Sequence, residues 1–416
     1  MIKKPTDLLS RHRIDVIIKY MYAKSILQSY NTSYYKQIYK QHLKVWNGFK
    51  EKDNPNKQTF EAFDTTFKNI ITSINLNGFD SNISNIPILN NSVLNGAHRL
   101  AACLATNNNI HCIPGVDGLD GCSICDFNYL TRKGLDTKYT DRVAIEYTKL
   151  KHNTYMCFLF PVADIDPRQS INILNSLGNI IHLKQLDLNY VGVFNLMREL
   201  YLDEPWVGCY PDYGGYNEKA KLCFTHNKPV IAMLIEFNDI NDSIEAKRKV
   251  RDIYKLGNHS IHINDKHEET VRLSKLMFNN NSIHHLCNMK PLQHRKFDML
   301  LKQFKSYIHS HKLDIDNYCI SASSVLTVYG LREGHDIDYI HTPSKLNINN
   351  NLISSHNEYG INLYPIPYDD IIHDPSFHFY YRGVKFASLE AVKQLKLNRG
   401  ESKDKIDIEL INGLII

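Results

Sequence analysis

The sequence predicts a mixed architecture, α/β and α+β, assembled from more than one region. Three observations lead there. The chain has 416 residues, room for two or three domains at roughly 150 residues each. Short apolar runs of strand length, Tyr155–Val162 and Pro229–Phe237 foremost, alternate with segments whose apolar residues recur three or four apart. Residues 80–115 compress that alternation into strand, turn, helix and strand.

Composition narrows the class. Hydrophobic residues make up 43% and charged residues 22%, which excludes wholesale disorder. A chain this long buries a sizeable core without disulfide or metal staples. Lys and Arg (49) exceed Asp and Glu (44) by only 5, too small and spread an excess for a dedicated nucleic-acid binder, yet compatible with phosphate-bearing ligands. The nine cysteines form no regular framework and no apolar stretch follows Met1–Pro5, so a reducing, cytoplasmic setting is expected. No run approaches the ~18–20 apolar residues of a membrane span.

Taken in order, Ile14, Ile17, Ile18 and Met21 mark one face of a helical stretch from Ile14 to Tyr39, and Thr59–Ile74 reads the same way. Ile86–Leu89 is a strand, Asn90-Asn91-Ser92 a turn and Val93–Leu94 a second strand. Asn95-Gly96 opens a helix from Ala97 to Thr106, and Ile110–Ile113 is the next strand. Strands at Thr154–Phe160 and Pro229–Phe237 flank a helix at Pro167–Leu177, and a charged helix spans Asp242–Leu256. The strand His259–Ile263 leads into a helix from Lys266 to Phe278, after which Asn279–His285 reads as a helix end and a new strand. The last section has helices at Gln293–His311, Ser324–Tyr329, Ser388–Leu397 and Lys403–Ile411, with strands at Tyr318–Ile320 and Asp336–Ile340. Composition and element pattern divide the chain into a helical region 1–75, a region 76–290 and a region 291–416.

Three segments carry chemistry. In the first, Val93–Ala102, a strand runs through a glycine turn into a helix start. Free backbone N–H groups and the helix dipole favour an anion there, with His98 and Arg99 as added donors. A structural ion pair of Arg99 is the alternative. Asn95, Gly96, His98, Arg99 and Ala102 resemble the G-x-H-R-x-x-A box of the ParB/sulfiredoxin-like superfamily. The resemblance covers about residues 80–115 and implies nucleotide-phosphate binding by Asn95, Gly96, His98 and Arg99. Its members include DNA-partition proteins, small-molecule kinases and a sulfinic acid reductase. The reductase chemistry needs a cysteine at the phosphate site, whereas Cys103 falls within the helix.

The second segment is 257–270, where His259, His262, Asp265, His267, Glu268 and Glu269 crowd together. Asp265 stands at the strand's C-terminal end, where open α/β sheets hold ligands. Asp265, Glu268 and His262 are therefore candidates for positioning or deprotonating a hydroxyl. A helix cap formed by Asp265 and Glu268 explains two of them without chemistry. The histidine spacing is not that of H-E-x-x-H zinc sites.

The third segment joins Ser321-Ala322-Ser323-Ser324, Gly330-Leu331-Arg332 and Asp336-Ile337-Asp338. Small hydroxyl residues precede a helix and a D-x-D pair begins a strand. Asp336 and Asp338 share a strand face and can hold one Mg²⁺, with Ser323 and Ser324 at the helix start on the phosphates. Pairing of these aspartates with Arg332 or Lys396 is the structural alternative. This pattern resembles the nucleotidyltransferase fold, and the run Lys396–Ile408, with Lys403-Asp404 and Asp407-Ile408, is similar to one carried by antitoxin-like and aminoglycoside-modifying relatives. That resemblance covers about 315–412. Two departures stand out: the glycine expected before the serine is absent, and only Asn362 stands where a third carboxylate belongs.

Smaller features are the pair Cys122/Cys125 at C-x-x-C spacing, the Gly-rich aromatic loop Tyr210–Tyr216, and the basic stretch Lys247–Arg251. Together the resemblances imply a ParB/sulfiredoxin-like N-terminal to central region with a nucleotidyltransferase-like C-terminal domain. The expected activity is that of a transferase using a phosphate-rich donor: a nucleotide, a nucleotide sugar or phosphoribosyl diphosphate. A glycan or lipid-linked acceptor in surface-glycan assembly is one setting. A ParB-like DNA-binding or regulatory protein and an antitoxin-like nucleotidyltransferase are the alternatives.

Overall fold

The first strand, β1 (Ile2–Lys3), is followed not by one long helix but by two, α1 (Asp15–Leu27) and α2 (Tyr34–Asn47), broken at Gln28–Ser33. The computed structural model describes residues 1–51, 54–202, 204–208, 213–290, 295–342, 348–358 and 363–415. Helix α2 ends on Gly48 in the left-handed conformation, and α3 (Phe60–Asn77) starts where the Thr59 side chain accepts from the Ala62 N–H at 3.3 Å. The expected strand–turn–helix–strand follows as β2 (Ile86–Leu89), β3 (Ser92–Val93), α4 (Ala97–Thr106) and β4 (Ile110–Pro114). Helices α5 (Phe127–Arg132) and α6 (Thr137–Leu150) complete a unit spanning Met1–His152. Its sheet has the order β1-β4-β2-β3, with β2 parallel to β4 and the outer pairs antiparallel.

The expected division at residue 75 does not appear. Helices α1 and α3 pack on α4, so the apolar faces of the first 75 residues are buried against the very strand–helix segment that was assigned to the next domain.

The second unit, Asn153–Ile416, holds two sheets. The first is built from β5 (Thr154–Leu159), α7 (Pro167–Leu177), β6 (Asn179–Leu186), α8 (Tyr190–Leu200), α9 (Gly214–Cys223), β7 (Val230–Glu236), α10 (Ile240–Tyr254) and β8 (Ile261–Ile263). Its strand order is β6-β7-β5-β8, antiparallel throughout. Helices α11 (His267–Met277), α12 (Asn280–Asn288) and α13 (Arg295–Ser310) lead to the second sheet. That part comprises β9 (Tyr318–Ser321), α14 (Ser323–Val328), β10 (Ile337–His341), β11 (Ile353–Ser355), α15 (Tyr368–His373), β12 (His378–Tyr381), β13 (Val384–Ala387), α16 (Leu389–Arg399) and α17 (Ser402–Asn412). The order is β11-β10-β9-β13-β12, with β9 antiparallel to β10 and parallel to β13. The molecule is thus mixed α/β, as expected.

Helix α12 corrects the strand expected near His284. Asn279 is not a terminating turn but an N-cap, accepting from the Ser282 N–H at 2.8 Å. The same helix abolishes the expected boundary at 290. Asn281 donates to the Ser376 carbonyl at 3.0 Å, and Ser282 Oγ accepts from the Tyr380 N–H at 2.8 Å. The central and C-terminal sections therefore share one body. Among the described residues, no helix is long and apolar enough to cross a membrane. Gln293 and residues 360–362, Asn362 included, lie outside the described residues, as do Tyr210, Pro211 and Asp212 of the aromatic loop.

Candidate functional site

In the first unit, Gly96 is the N-cap of α4 at φ +90°, and no side chain caps the helix start. Asn95 Oδ1 takes the Gly96 N–H at 2.6 Å and shapes the turn. His98 and Arg99 occupy the first helical turn. The Arg99 guanidinium is half-buried and hydrogen-bonded to Ser84 Oγ. Among the described residues no carboxylate pairs with it, and burial pulls its pKa below the usual value. The structural ion pair that sequence reasoning set against ligand binding is therefore absent. A partly desolvated, uncompensated cation beside uncapped helical N–H groups is suited to an anion.

His98 Nε2 lies 2.9 Å from the Tyr39 hydroxyl, and its ring stands edge-on to Phe67 at 4.7 Å. Burial holds the imidazole well below its usual pKa, so it is neutral at physiological pH. Cys103 is fully buried, and burial pushes its thiol up to about 12. It is a core residue without nucleophilic character.

Behind the turn lies a buried network that sequence reasoning missed. Arg13 pairs with Asp15 through two hydrogen bonds of 2.8 and 2.9 Å, and donates to the carbonyls of Val93, Leu94 and Cys122. Lys19 joins Asp15 at 2.8 Å and His42 at 3.1 Å. Arg13 thereby ties the strand entering the turn to the loop after β4. Its partners lie about eighty to one hundred residues away, beyond any local sequence pattern.

The Cys122/Cys125 spacing builds nothing comparable. Cys122 is exposed, Cys125 is buried, and both are free thiols. Helices α5 and α6, joined by a short turn, have the outline of a DNA-reading helix pair. However, α6 is buried from Tyr139 to Thr148 and offers no face to a groove.

The second unit places Asp265 and Glu268 on the wall of a cleft of about 790 Å³, with Glu269 and Arg272 beside them and Tyr201 and Ile308 among the apolar lining. Asp265 is not the helix cap expected of it. It is exposed and paired with Lys247 at 2.7 Å, while Lys266 occupies the cap position without a side-chain bond. Glu268 is exposed. Glu269 is half-buried, and burial raises its pKa. Arg272 stands 3.6 Å away but is committed to the Glu199 carboxylate at 2.6 Å and the Glu199 carbonyl at 2.8 Å. Glu269, crowded among its acidic neighbours in the sequence, is the wall carboxylate with the most perturbed environment. His262 stays behind this wall, edge-on to Tyr201 at 5.1 Å, with burial lowering its pKa to about 3. It is a neutral packing residue at physiological pH, not a proton carrier on the cleft.

Around the D-x-D strand, Ser324 Oγ donates to the Asp336 carbonyl at 3.0 Å and is fully buried, which withdraws it from phosphate binding. Ser323 starts α14, a helix of only six residues. Asp338 pairs with His356 at 2.9 Å and accepts from Ser354 at 3.3 Å, while Asp336 is exposed. Arg332 and Lys396 do not reach these aspartates. They hold Asp407 at 2.9 and 2.5 Å, and Lys396 and Arg399 hold Asp404 at 3.2 and 2.6 Å. The Lys/Asp run at the C-terminus is thus a buried clasp between α16 and α17. Among the described residues no three His, Cys, Asp or Glu side chains are grouped to bind a metal. The D-x-D pair supplies at most two carboxylates. That suffices for Mg²⁺ only in company with ligand phosphates and water. Ala322, just ahead of this helix, stands at φ +53°, ψ −132°, a backbone region that favours glycine.

Comparison with known proteins finds no matching family model, no matching curated protein and no matching solved structure.

Proposed function

We propose that the chain is a transferase that binds an activated, phosphate-bearing donor at the start of α4. One observation carries this reading: the Arg99 guanidinium is half-buried beside an uncapped helix start and has no carboxylate partner among the described residues. Arg99 and the first-turn N–H groups neutralise the donor's diphosphate and stabilise the charge that grows on it as it leaves. The cleft of the second unit is a separate candidate site, suited to a hydroxyl-bearing ligand of glycan or lipid-linked type. Its aliphatic lining suits an apolar tail, and Glu269 is the carboxylate to receive the hydroxyl proton.

The nucleotidyltransferase reading is supported by the order β9, short helix, D-x-D strand. Mg²⁺ bound at Asp336 and Asp338 would neutralise nucleotide phosphates, and the His356 contact to Asp338 must open for it to bind. Ser324 has no part in that step.

A thermal-shift screen of pyrophosphate, nucleoside triphosphates, nucleotide sugars and phosphoribosyl diphosphate, with and without Mg²⁺, tests the donor. A ligand at one hundred times its Kd stabilises by about 2.7 kcal/mol. The expected result is a shift with at least one phosphate-bearing compound that Arg99→Ala removes. Equal shifts in wild type and Arg99→Ala overturn the reading. Incubation with labelled nucleotide, followed by a search for label on protein or RNA, separates the antitoxin-like alternative.

A further inference from the structure

We infer that Tyr39 fixes His98 in a single tautomer, with the proton on Nδ1, so that His98 meets a phosphate oxygen as a neutral donor. This rests on the phosphate reading of the α4 turn for its ligand, but the tautomer follows from hydrogen bonding alone. Tyr39 is fully buried, and its hydroxyl has one hydrogen-bond partner among the described residues, His98 Nε2 at 2.9 Å. A buried hydroxyl that does not donate loses the hydrogen bond it made to water without a replacement. If Nε2 carried a proton, it would donate to the Tyr39 oxygen and leave the phenolic hydrogen without an acceptor. With Nε2 unprotonated, Tyr39 donates to it and both groups are satisfied. The neutral ring must then carry its hydrogen on Nδ1.

The surroundings enforce the same state. Tyr39 is stacked on Tyr22 at 5.1 Å, and Tyr22 is hydrogen-bonded to Asp64 at 2.5 Å, which holds the two rings in place beside His98. Burial raises the Tyr39 pKa and keeps its hydroxyl protonated. Burial first, then Lys19 of α1, Lys57 ahead of α3 and His42 of α2, oppose a positive charge on the imidazole, while Asp15 favours it. Asp15 is itself neutralised by Arg13 and Lys19. His98 is half-buried, and among the described residues its ring is hydrogen-bonded through Nε2, which leaves Nδ1 for a ligand. His98 contributes direction, and Arg99 contributes charge.

The test uses the full chain and sulfate, whose charge does not change between pH 5.5 and 7.5. Long-range ¹H–¹⁵N correlation spectra, with His98→Gln to identify the resonance, report the tautomer and protonation of His98. The expected pattern is a neutral Nδ1–H ring throughout this range, and a mixed tautomer in Tyr39→Phe. An Nε2–H ring, or titration near the ordinary value of ~6.5, overturns the inference in wild type alone, even where Tyr39→Phe fails to fold. Sulfate affinity, followed from Arg99 shifts, is expected to change less than twofold across the range. A gain of roughly tenfold on acidification means that a charged imidazole binds, and this also overturns it. If sulfate and pyrophosphate leave the α4 turn unmoved, the donor reading fails while the tautomer result stands.

Discussion

Replacing Gly96 by alanine tests the α4 turn through its backbone, and Gly134 supplies the control. Both glycines belong to the first unit and both have positive φ, +90° and +91°. A Cβ at Gly134 meets nothing within 4 Å, whereas at Gly96 it stands 2.8 Å from Arg99 Nη2 and 3.0 Å from Ile86 Cδ1. Gly134→Ala therefore reports left-handed strain alone, about 1 kcal/mol once the reduced freedom of the unfolded chain is deducted. Gly96→Ala carries that strain and must also displace a fully buried isoleucine by a few tenths of an ångström, for about 2 kcal/mol in all. The end of Arg99 can move only by giving up its hydrogen bond to Ser84, and its displacement removes a charge-assisted hydrogen bond, about 1.5–3 kcal/mol, from any bound anion. The expected signature is an unfolding constant raised about thirtyfold, against about fivefold for the control, with sulfate or pyrophosphate affinity lowered at least tenfold only in Gly96→Ala. The chain has 2 tryptophans, Trp46 in the first unit and Trp206 in the second, so urea unfolding followed by Trp46 in a Trp206→Phe background isolates the relevant transition. Equal stability of the two variants together with unchanged anion binding refutes the argument.

Other expectations follow from the second unit. Lys396→Met leaves buried Asp404 and Asp407 with Arg399 and Arg332 as remaining partners, so a loss near the lower end of about 3–5 kcal/mol is expected from urea midpoints. His262 and His285 are neutral in the fold, with pKa lowered by burial to about 3 and about 4. Because the unfolded chain takes up their protons below ~6.5 and the folded one does not, this stabilisation is complete above that pH and fades as pH falls toward 4. Urea midpoints of the Trp206 transition are expected to drop over that window, less steeply in His285→Phe, and a flat profile contradicts the assignment. Asp404, lowered to about 2, has its ion pairs intact above pH ~4, and the α16–α17 clasp loosens only below it, which circular dichroism on acidification will show. Glu269→Gln is expected to weaken binding of a hydroxyl-bearing ligand in the cleft less than twofold while abolishing any reaction of that ligand there, and an unchanged reaction rate removes Glu269 from proton transfer.

Local patterns in the sequence carried most of the element assignments. Asn95-Gly96 before an apolar period of three to four gave α4 its observed bounds, because a left-handed glycine and a helix face are both local properties. The same locality misled at Asn279. An asparagine that ends one helix and caps the next has one sequence signature for two roles, and only the Ser282 N–H it accepts from distinguishes them. Domain limits were illegible for a different reason. Whether α1 and α3 fold alone or against α4 depends on which apolar faces meet, and that information is spread over a hundred residues. Site residues divided along the same line. Arg99 was visible from its neighbours, but the absence of a carboxylate that makes it informative is a three-dimensional fact. Asp336 and Asp338 were legible as a pair, while the contacts of Asp338 to His356 and Ser354 were not.

The parallel pairing of β9 with β13 has a consequence for biosynthesis. Lys385 and Phe386 register with Cys319 and Ile320, so the central strand of the second sheet waits for more than sixty further residues before its neighbour on that side exists. During elongation at about 5–20 residues per second, that edge stays open for seconds, with fully buried Cys319 and Ile320 among its residues. Antiparallel β10 can cover only the other side in the interval. The nascent second unit thus passes through a stage with an unpaired apolar strand edge, the arrangement that chaperones shield and that aggregation exploits. Slowing translation between residues 342 and 384 lengthens that stage.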